Sequence, residues 1–309
     1  RAPGQDPTAT RRRESDAPRV LCGLYQGVTT GAPLCAIIEN TNQRSKDYEG
    51  LRINPRPGHA DYTAYVKYGN HHDVRGGGHF SGRLTAPLVF AGAVARQILQ
   101  RRGILVASHV ASIGEVEDTP FSPVAVDPQL MARLSGEYFP VIDPQAKEQM
   151  REVVEAARMD CDSVGGTVEC VVTGLPVGAG NPMFDGAENL IASLCFGIPA
   201  MKGIEFGAGF APSRRRGSQN NDPFYYDENG QVRARSNNAG GILGGITNGM
   251  PLVFRTAFKP TSSISKEQDT VNLETGKNAK LVIHGRHDPC IVPRAAAAVE
   301  AAACVAVLE

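Results

Sequence analysis

The chain has 309 residues, and its 32 Lys and Arg residues balance 32 Asp and Glu residues, so the formal net charge is zero. Hydrophobic residues make up 41% and charged residues 21%, a composition typical of a globular protein that buries a core of its own. The balanced charge argues against a nucleic-acid binder, and no apolar run reaches the roughly 20 residues that would span a bilayer. Seven scattered cysteines without a Cys-x-x-Cys pair indicate a reducing compartment, which predicts a cytoplasmic protein.

The predicted elements mix helices with strands and lack the regular alternation of a doubly wound parallel sheet. They begin with a hairpin over residues 19–40 and a long polar segment over residues 41–83. Helices follow at 84–102, 143–159, 190–196 and 290–309, strands at 104–116, 164–175, 203–207 and 252–258, and a polar loop at 212–238. No internal repeat or linker interrupts this order, which predicts a single domain over residues 1–309.

Two of these helices carry explicit start or stop signals. Asp143-Pro144 places an N-cap side chain before a proline at the first helical position of the second helix. Gly103 ends the first helix. That helix is predicted to turn one apolar stripe toward the core, formed by Leu88, Ala91, Ala95, Ile98 and Leu99.

Four short segments combine residue types suited to proton transfer or anion binding, whereas the common nucleotide, metalloprotease and serine-hydrolase signatures are absent. Histidine exchanges protons near neutral pH, arginine and lysine hold anions, and glycine allows a ligand close to the backbone. The segments are 56–61, 76–83, 237–249 together with 259–263, and 285–290.

Each segment also has a purely structural interpretation. The histidine of 56–61 could hydrogen-bond a backbone carbonyl, and 76–83 could be a loop with an ordinary N-cap. Segment 237–249 could be a turn between strands, and 285–290 a solvated turn that caps the last helix. The residues by themselves leave these alternatives open.

Longer motifs resemble one family along nearly the whole chain. Four of them are similar to chorismate synthase: Arg-Pro-Gly-His-Ala-Asp (56–61), Gly-Gly-Ile-Leu-Gly-Gly-Ile-Thr-Asn-Gly (240–249), Lys-Pro-Thr-Ser-Ser-Ile (259–264) and Gly-Arg-His-Asp-Pro-Cys (285–290). Residues 40–48 and 202–207 follow the same family in the same order. The resemblance implies a lyase of the shikimate pathway to aromatic amino acids. Its reaction converts 5-enolpyruvylshikimate 3-phosphate to chorismate and phosphate by an anti-1,4-elimination that needs reduced FMN.

The resemblance also implies roles for individual residues. His59 is implied as a proton donor, and Asp288 as the carboxylate that manages the ring proton near the flavin. Arg56, Arg83 and Arg286 are implied to bind the two carboxylates and the phosphate of the substrate. The implied FMN contacts are Arg1, Ser81, Pro199, Ala200, Gly244, Lys259, Thr261, Ser262, Ser263 and Arg286.

The family's architecture implies an α+β fold, with helices packed between antiparallel β-sheets in one domain, and assembly as a homotetramer. Reducing equivalents are expected from an external flavin reductant linked to NADP, because nothing in the chain suggests a reductase activity of its own. Neither nucleic acid nor a membrane is expected as a partner.

Two features depart from the family pattern. His79 and Phe80 stand where the more common form, Gly-Gly-Arg-Ser-Ser-Ala-Arg, has arginine and serine. The family's N-terminal Gly-Glu-Ser-His-Gly segment, with a second catalytic histidine, is absent, so we expect a truncated chain that binds FMN weakly. The alternative function is a non-catalytic FMN- or anion-binding assembly protein on the same scaffold.

Overall fold

The structure is a computed structural model that describes residues 16–40, 50–283 and 288–309. Its α-helices are α1 Asp61–Lys67, α2 Thr85–Arg101, α3 Pro128–Gly136, α4 Pro144–Met159, α5 Ala187–Phe196, α6 Gly217–Asn220 and α7 Val292–Leu308. Its strands are β1 Arg19–Cys22, β2 Leu24–Tyr25, β3 Val28–Thr29, β4 Cys35–Ile37, β5 Leu105–Ile113, β6 Val116–Glu117, β7 Gly166–Thr173, β8 Met201–Phe206, β9 Phe224–Tyr226, β10 Val232–Ala234, β11 Ile242–Leu243, β12 Ile246–Thr247, β13 Leu252–Phe258, β14 Gln268–Asn272 and β15 Lys277–Leu281. Short 3₁₀-helices lie at Arg75–Phe80, Gly82–Leu84, Met183–Asp185 and Ala211–Arg214.

A five-stranded antiparallel sheet in the order β6-β5-β7-β13-β8 forms the centre of the described fold. One face is covered by α7, which packs against α2, α5 and the strands β5 and β7. Helix α7 is rich in alanine and almost entirely buried, so neighbouring backbones approach it closely. At the contact with α2, a Cβ on Gly92 would lie 2.4 Å from the Cβ of Ala301, which leaves room for glycine alone.

The opposite face of the sheet carries α3 over a smaller apolar cluster. Ala107 and Val171 belong to this cluster, whereas their chain neighbours Val106 and Val172 belong to the main core under α7. This division follows from the alternation of side chains along a strand. Helices therefore lie on both faces of an antiparallel sheet, and the predicted α+β class is confirmed.

A row of charged side chains crosses the α3 side of the sheet. His109, Glu169, Arg255 and Glu205 stand in register on four adjacent strands. His109 is fully buried, with Nδ1 2.7 Å from an Asp118 oxygen and Nε2 3.0 Å from Glu169 Oε2. Burial alone would lower the pKa of His109, but hydrogen bonds to Asp118 and Glu169 and their negative charges raise it. The two carboxylates thus favour a protonated histidine inside the fold.

The helix start predicted from a capping signal is confirmed. The predicted stripe on α2 is confirmed at Leu88, Ala95 and Leu99 and wrong at Ala91 and Ile98. Helix α4 begins after Asp143, whose carboxylate accepts a 2.9 Å hydrogen bond from a backbone N–H of the first turn. On α2, Gly92 and Ala95 are buried, whereas Ala91 and Ile98 are exposed. Gly92 lies in the buried stripe because α7 approaches it closely, and a count of apolar residues does not detect such a contact.

The sequence patterns miss several short elements inside polar segments. Segment 41–83 holds α1, loop 212–238 holds the hairpin of β9 and β10, and α3 and the hairpin of β14 and β15 lie where no element is predicted. These elements are short or largely exposed, so they lack a sustained apolar period. Helix α1 matters most for function, because it begins at the end of the first candidate segment.

Candidate functional site

The candidate site forms where the loop before α1 meets the segment that follows β13. Ser262 donates a 2.8 Å hydrogen bond from its hydroxyl to the carbonyl oxygen of Gly58. The Arg56 guanidinium donates one of 3.0 Å to the Ser263 hydroxyl. Gly58 has a φ of +70°, a left-handed value that glycine adopts without strain. Segments 56–61 and 259–263 therefore form one unit, called the contact unit below.

Within the contact unit, the carboxylate of Asp61 holds both Arg56 and His59. The buried Arg56 guanidinium donates hydrogen bonds of 2.7 and 2.8 Å to the two Asp61 oxygens. Nδ1 of His59 lies 2.6 Å from Asp61 Oδ1. Burial by itself would raise the pKa of Asp61, but hydrogen bonds and charge interactions with Arg56 and His59 hold it well below its usual range. Asp61 is therefore an anion at neutral pH, and Arg56 is a cation fixed in one orientation.

A second positive group stands beside this arrangement. Nζ of Lys259 donates a 2.8 Å hydrogen bond to the Ser262 hydroxyl. The pKa of Lys259 is lowered, first by burial and then by the positive charges of Lys202 and Arg56. Positive charges that lower the pKa of a neighbouring lysine mark a place where a bound anion would be stabilised. The contact unit is therefore suited to hold a phosphate or a carboxylate.

Asp288 connects the contact unit to the start of α7. Its carbonyl oxygen accepts a 3.1 Å hydrogen bond from the Thr261 hydroxyl, and the Thr261 carbonyl accepts one of 2.8 Å from Ser163. The Asp288 carboxylate lies 2.9 Å from a guanidinium nitrogen of Arg294 in the first turn of α7. These contacts fit both roles considered for Asp288, proton transfer at the site and anchoring of the last helix.

Ser81 and Gly244 belong to two other segments of the described chain. Ser81 accepts a 3.2 Å hydrogen bond from the Arg83 backbone N–H and so caps the 3₁₀-helix Gly82–Leu84. Gly244 has a φ of +63° in the turn between β11 and β12, and a Cβ there would meet no atom within 4 Å. In the part of the chain that the structure describes, neither residue makes a hydrogen bond to segments 56–61 or 259–263.

The remaining predicted contacts fall after α5 or outside the described residues. Pro199 and Ala200 form the turn that follows α5. The Ala200 carbonyl accepts a 3.0 Å hydrogen bond from the Lys259 backbone N–H, which ties this turn to the contact unit. Arg1 and Arg286 lie outside the described residues.

Two residues of the site lie inside the motifs quoted from the sequence but were given no role there. Asp61 follows His59 by two positions and Arg56 by five, and the turn before α1 brings all three together. Lys202 stands close enough to Lys259 to lower its pKa. A search for carboxylates near the candidate histidine, and for lysines within the resemblance motifs, would have selected both.

The comparisons with known proteins identify the family. The family model described as chorismate synthase matches residues 1–309, which is the whole chain. The chain belongs to the chorismate synthase family. A chorismate synthase from Dehalococcoides mccartyi is 48% identical over 100% of this chain and 84% of that protein. The chorismate synthase of Thermococcus gammatolerans is 48% identical over 95% of this chain and 80% of that protein.

A solved structure supports the same assignment. It is described as a crystal structure of chorismate synthase and matches with a TM-score of 0.70 and 26% identity, over 94% of this chain and 76% of that chain. The resemblance inferred from the motifs is thus confirmed, and the chain belongs to an enzyme family of the lyase class. No helix in the described ranges has the length and apolar character needed to cross a membrane.

Proposed function

We propose that this member of the chorismate synthase family converts 5-enolpyruvylshikimate 3-phosphate to chorismate. The reaction removes one ring proton and the phosphate group in an anti-1,4-elimination without net redox change. The observation that carries the proposal is the contact between segments 56–61 and 259–263. It places an arginine, a histidine and a lysine at one point of a chain that matches the family over its full length.

Substrate binding in this proposal depends on fixed positive charge. The substrate carries two carboxylates and a phosphate, which arginine binds through paired hydrogen bonds. Arg56 is already oriented by Asp61 and Ser263 before any ligand arrives. Arg83, just before α2, and Arg286 are the other proposed substrate contacts. Charge that is fixed in advance stabilises the phosphate as it departs, at little cost of reorganisation.

The proposed cofactor is reduced FMN, and the described residues fit it. Lys259 and the hydroxyls around it suit the FMN phosphate, and the open space beside Gly244 suits a flat ring. When bound, reduced flavin supplies electron density to the substrate as the phosphate leaves, and a basic nitrogen for the ring proton. The proposed contacts are Ser81, Pro199, Ala200, Gly244, Lys259, Thr261, Ser262 and Ser263, together with Arg1 and Arg286.

Proton transfer is assigned to His59 and Asp288. The His59 side chain is 18% exposed, so its ring can meet a ligand while remaining fixed by the contact unit. Asp288 supplies a carboxylate that receives and passes on the ring proton. An external flavin reductant and a homotetramer complete the proposal, with residues 1–309 acting as one domain.

A pocket shared by substrate and flavin, as proposed here, predicts coupled binding of the two. We expect reduced FMN to bind more tightly when the substrate is present, because the phosphate and carboxylates of the substrate would draw the arginines together and close the site over the flavin ring. Lys259→Met should weaken reduced-FMN binding about 10- to 100-fold, since it removes a charge-assisted hydrogen bond. Anaerobic absorbance titrations with and without substrate measure both effects.

Lys277→Met, a change of the same kind on the exposed strand β15, is the control and should leave the titration unchanged. Equal flavin affinity with and without substrate would contradict a shared pocket.

Asp288 and Arg294 offer a matched test of the two roles of that carboxylate. Asp288→Asn keeps the shape and hydrogen bonding of the side chain but cannot accept the ring proton. We expect it to slow phosphate release about 10²-fold with little effect on flavin binding. Arg294→Gln removes the ion pair with α7 and keeps the carboxylate, so it should retain most of the rate. Equal losses in both variants would show that Asp288 acts by anchoring the helix.

A further inference from the structure

We infer that Asp61 is a positioning residue, which fixes the proton of His59 on Nδ1 and leaves Nε2 as the nitrogen that exchanges protons with the ligand. The inference rests on the proposed function of His59. It assigns to Asp61 the orientation of both the histidine and Arg56.

The geometry around Asp61 shows how one carboxylate serves two partners. Oδ2 accepts hydrogen bonds of 3.0 Å from the Arg56 backbone N–H and 2.7 Å from Nε of the same residue. Oδ1 accepts one of 2.8 Å from the second guanidinium nitrogen and lies 2.6 Å from Nδ1 of His59. The Asp61 side chain is only 10% exposed, so water competes little for these positions. The carboxylate is thus fully committed to the arginine and the histidine.

The donors and acceptors present decide which nitrogen of His59 carries the proton. Nδ1 lies 3.0 Å from an Arg56 nitrogen and 2.6 Å from Asp61 Oδ1. Arginine only donates, and an ionised carboxylate only accepts. Nδ1 carries either one proton or one available lone pair. It therefore cannot donate to the carboxylate and also accept from the arginine. The shorter contact is to the carboxylate, and the arginine nitrogen already donates to Oδ1, so the proton lies on Nδ1.

This assignment has a chemical consequence for the rest of the ring. In the described residues, Nε2 of His59 makes no hydrogen bond, so it is the nitrogen open to a ligand. A carboxylate on one imidazole nitrogen fixes the ring, selects the tautomer and stabilises the imidazolium that forms when the ring takes up a proton. Asp61 therefore prepares His59 to hold a proton on Nε2 and to release it toward a departing phosphate.

The test reads the tautomer directly. Nitrogen-15 NMR of the wild-type protein distinguishes the two ring nitrogens, and the His59 signals are assigned by their loss in His59→Gln. We expect the neutral ring to carry its proton on Nδ1. In Asp61→Asn, the amide oxygen remains with Arg56 and the NH₂ group faces Nδ1, so the proton should move to Nε2 and turnover should fall at least about tenfold. Asp269→Asn, at an 88% exposed carboxylate, is the control and should change neither readout.

The outcomes separate this inference from the function on which it rests. A wild-type ring protonated on Nε2 overturns the positioning role, and this measurement needs no variant to fold. A tautomer unchanged in a folded Asp61→Asn protein overturns it as well. A tautomer that moves with a large loss of turnover supports both the inference and the function. A tautomer that moves with full turnover supports the positioning role and contradicts proton transfer by His59.

Discussion

Replacing His59 with glutamine is expected to lower the rate of chorismate formation by up to about 10⁴-fold while reduced-flavin binding remains nearly unchanged. Glutamine fills a similar volume and can donate a hydrogen bond to Asp61, so the contact unit should keep its shape. It cannot transfer a proton at neutral pH, which removes the proposed donor for the departing phosphate. Phosphate release and flavin titration on the same preparation separate the two effects.

The neighbouring His71 provides a matched control. It is exposed in the turn after α1 and belongs to neither the contact unit nor the proposed cofactor contacts. His71→Gln should therefore keep the wild-type rate. If His59→Gln releases phosphate as fast as the His71 variant, His59 is a structural residue of the loop and the assignment of proton transfer is wrong.

Replacing Glu169 with alanine is expected to lower the free energy of unfolding by about 3–5 kcal/mol. The change leaves His109 buried with a single carboxylate, and it removes the acceptor of a 2.7 Å hydrogen bond from the Phe121 backbone N–H. It also removes the negative charge that faces Arg255. Removing one member of a buried, hydrogen-bonded charge network is among the most destabilising changes in a folded protein, although His109 keeps Asp118 and Arg255 keeps Glu205. Denaturant unfolding followed by fluorescence or circular dichroism measures the loss.

The pH dependence of this loss follows from the raised pKa of His109. The stabilisation from its carboxylate partners is fully present below the unfolded-state value of about 6.5 and is lost as pH rises through the folded pKa. The stability gap between wild type and Glu169→Ala should therefore be widest in mild acid and should narrow in alkaline solution. Glu155→Ala, at an exposed carboxylate on α4, is the control and should show no gap. A gap that widens as pH rises would contradict a protonated His109.

Contiguous motifs explain why much of the candidate site could be found in the sequence. Arg56 and His59 lie in one run, and Lys259 lies with its serines in another. Each run was predicted to bind anions or move protons from its residue types alone. Their meeting in space could not be derived in that way, because Arg56 and Ser263 are 207 positions apart and their hydrogen bond forms only in the folded chain.

Packing between distant elements explains the parts of the fold that were missed. The buried stripe of α2 includes Gly92 because of its contact with Ala301, a partner more than 200 positions away. The charged row through His109 and Glu169 was not predicted either. Charged residues inside strands normally indicate a solvent-facing side. His109 and Glu169 are buried in contact with each other because β5 pairs with β7, which the sequence alone does not show.

The most direct test of the proposed function is a single anaerobic assay on the protein as the cell makes it. Reduced FMN and 5-enolpyruvylshikimate 3-phosphate are added, and chorismate, phosphate and the redox state of the flavin are measured together. The proposal predicts equal amounts of chorismate and phosphate over many turnovers, with the flavin still reduced at the end. Tight binding of reduced FMN without phosphate release would contradict it and would identify a binding protein on the chorismate synthase scaffold.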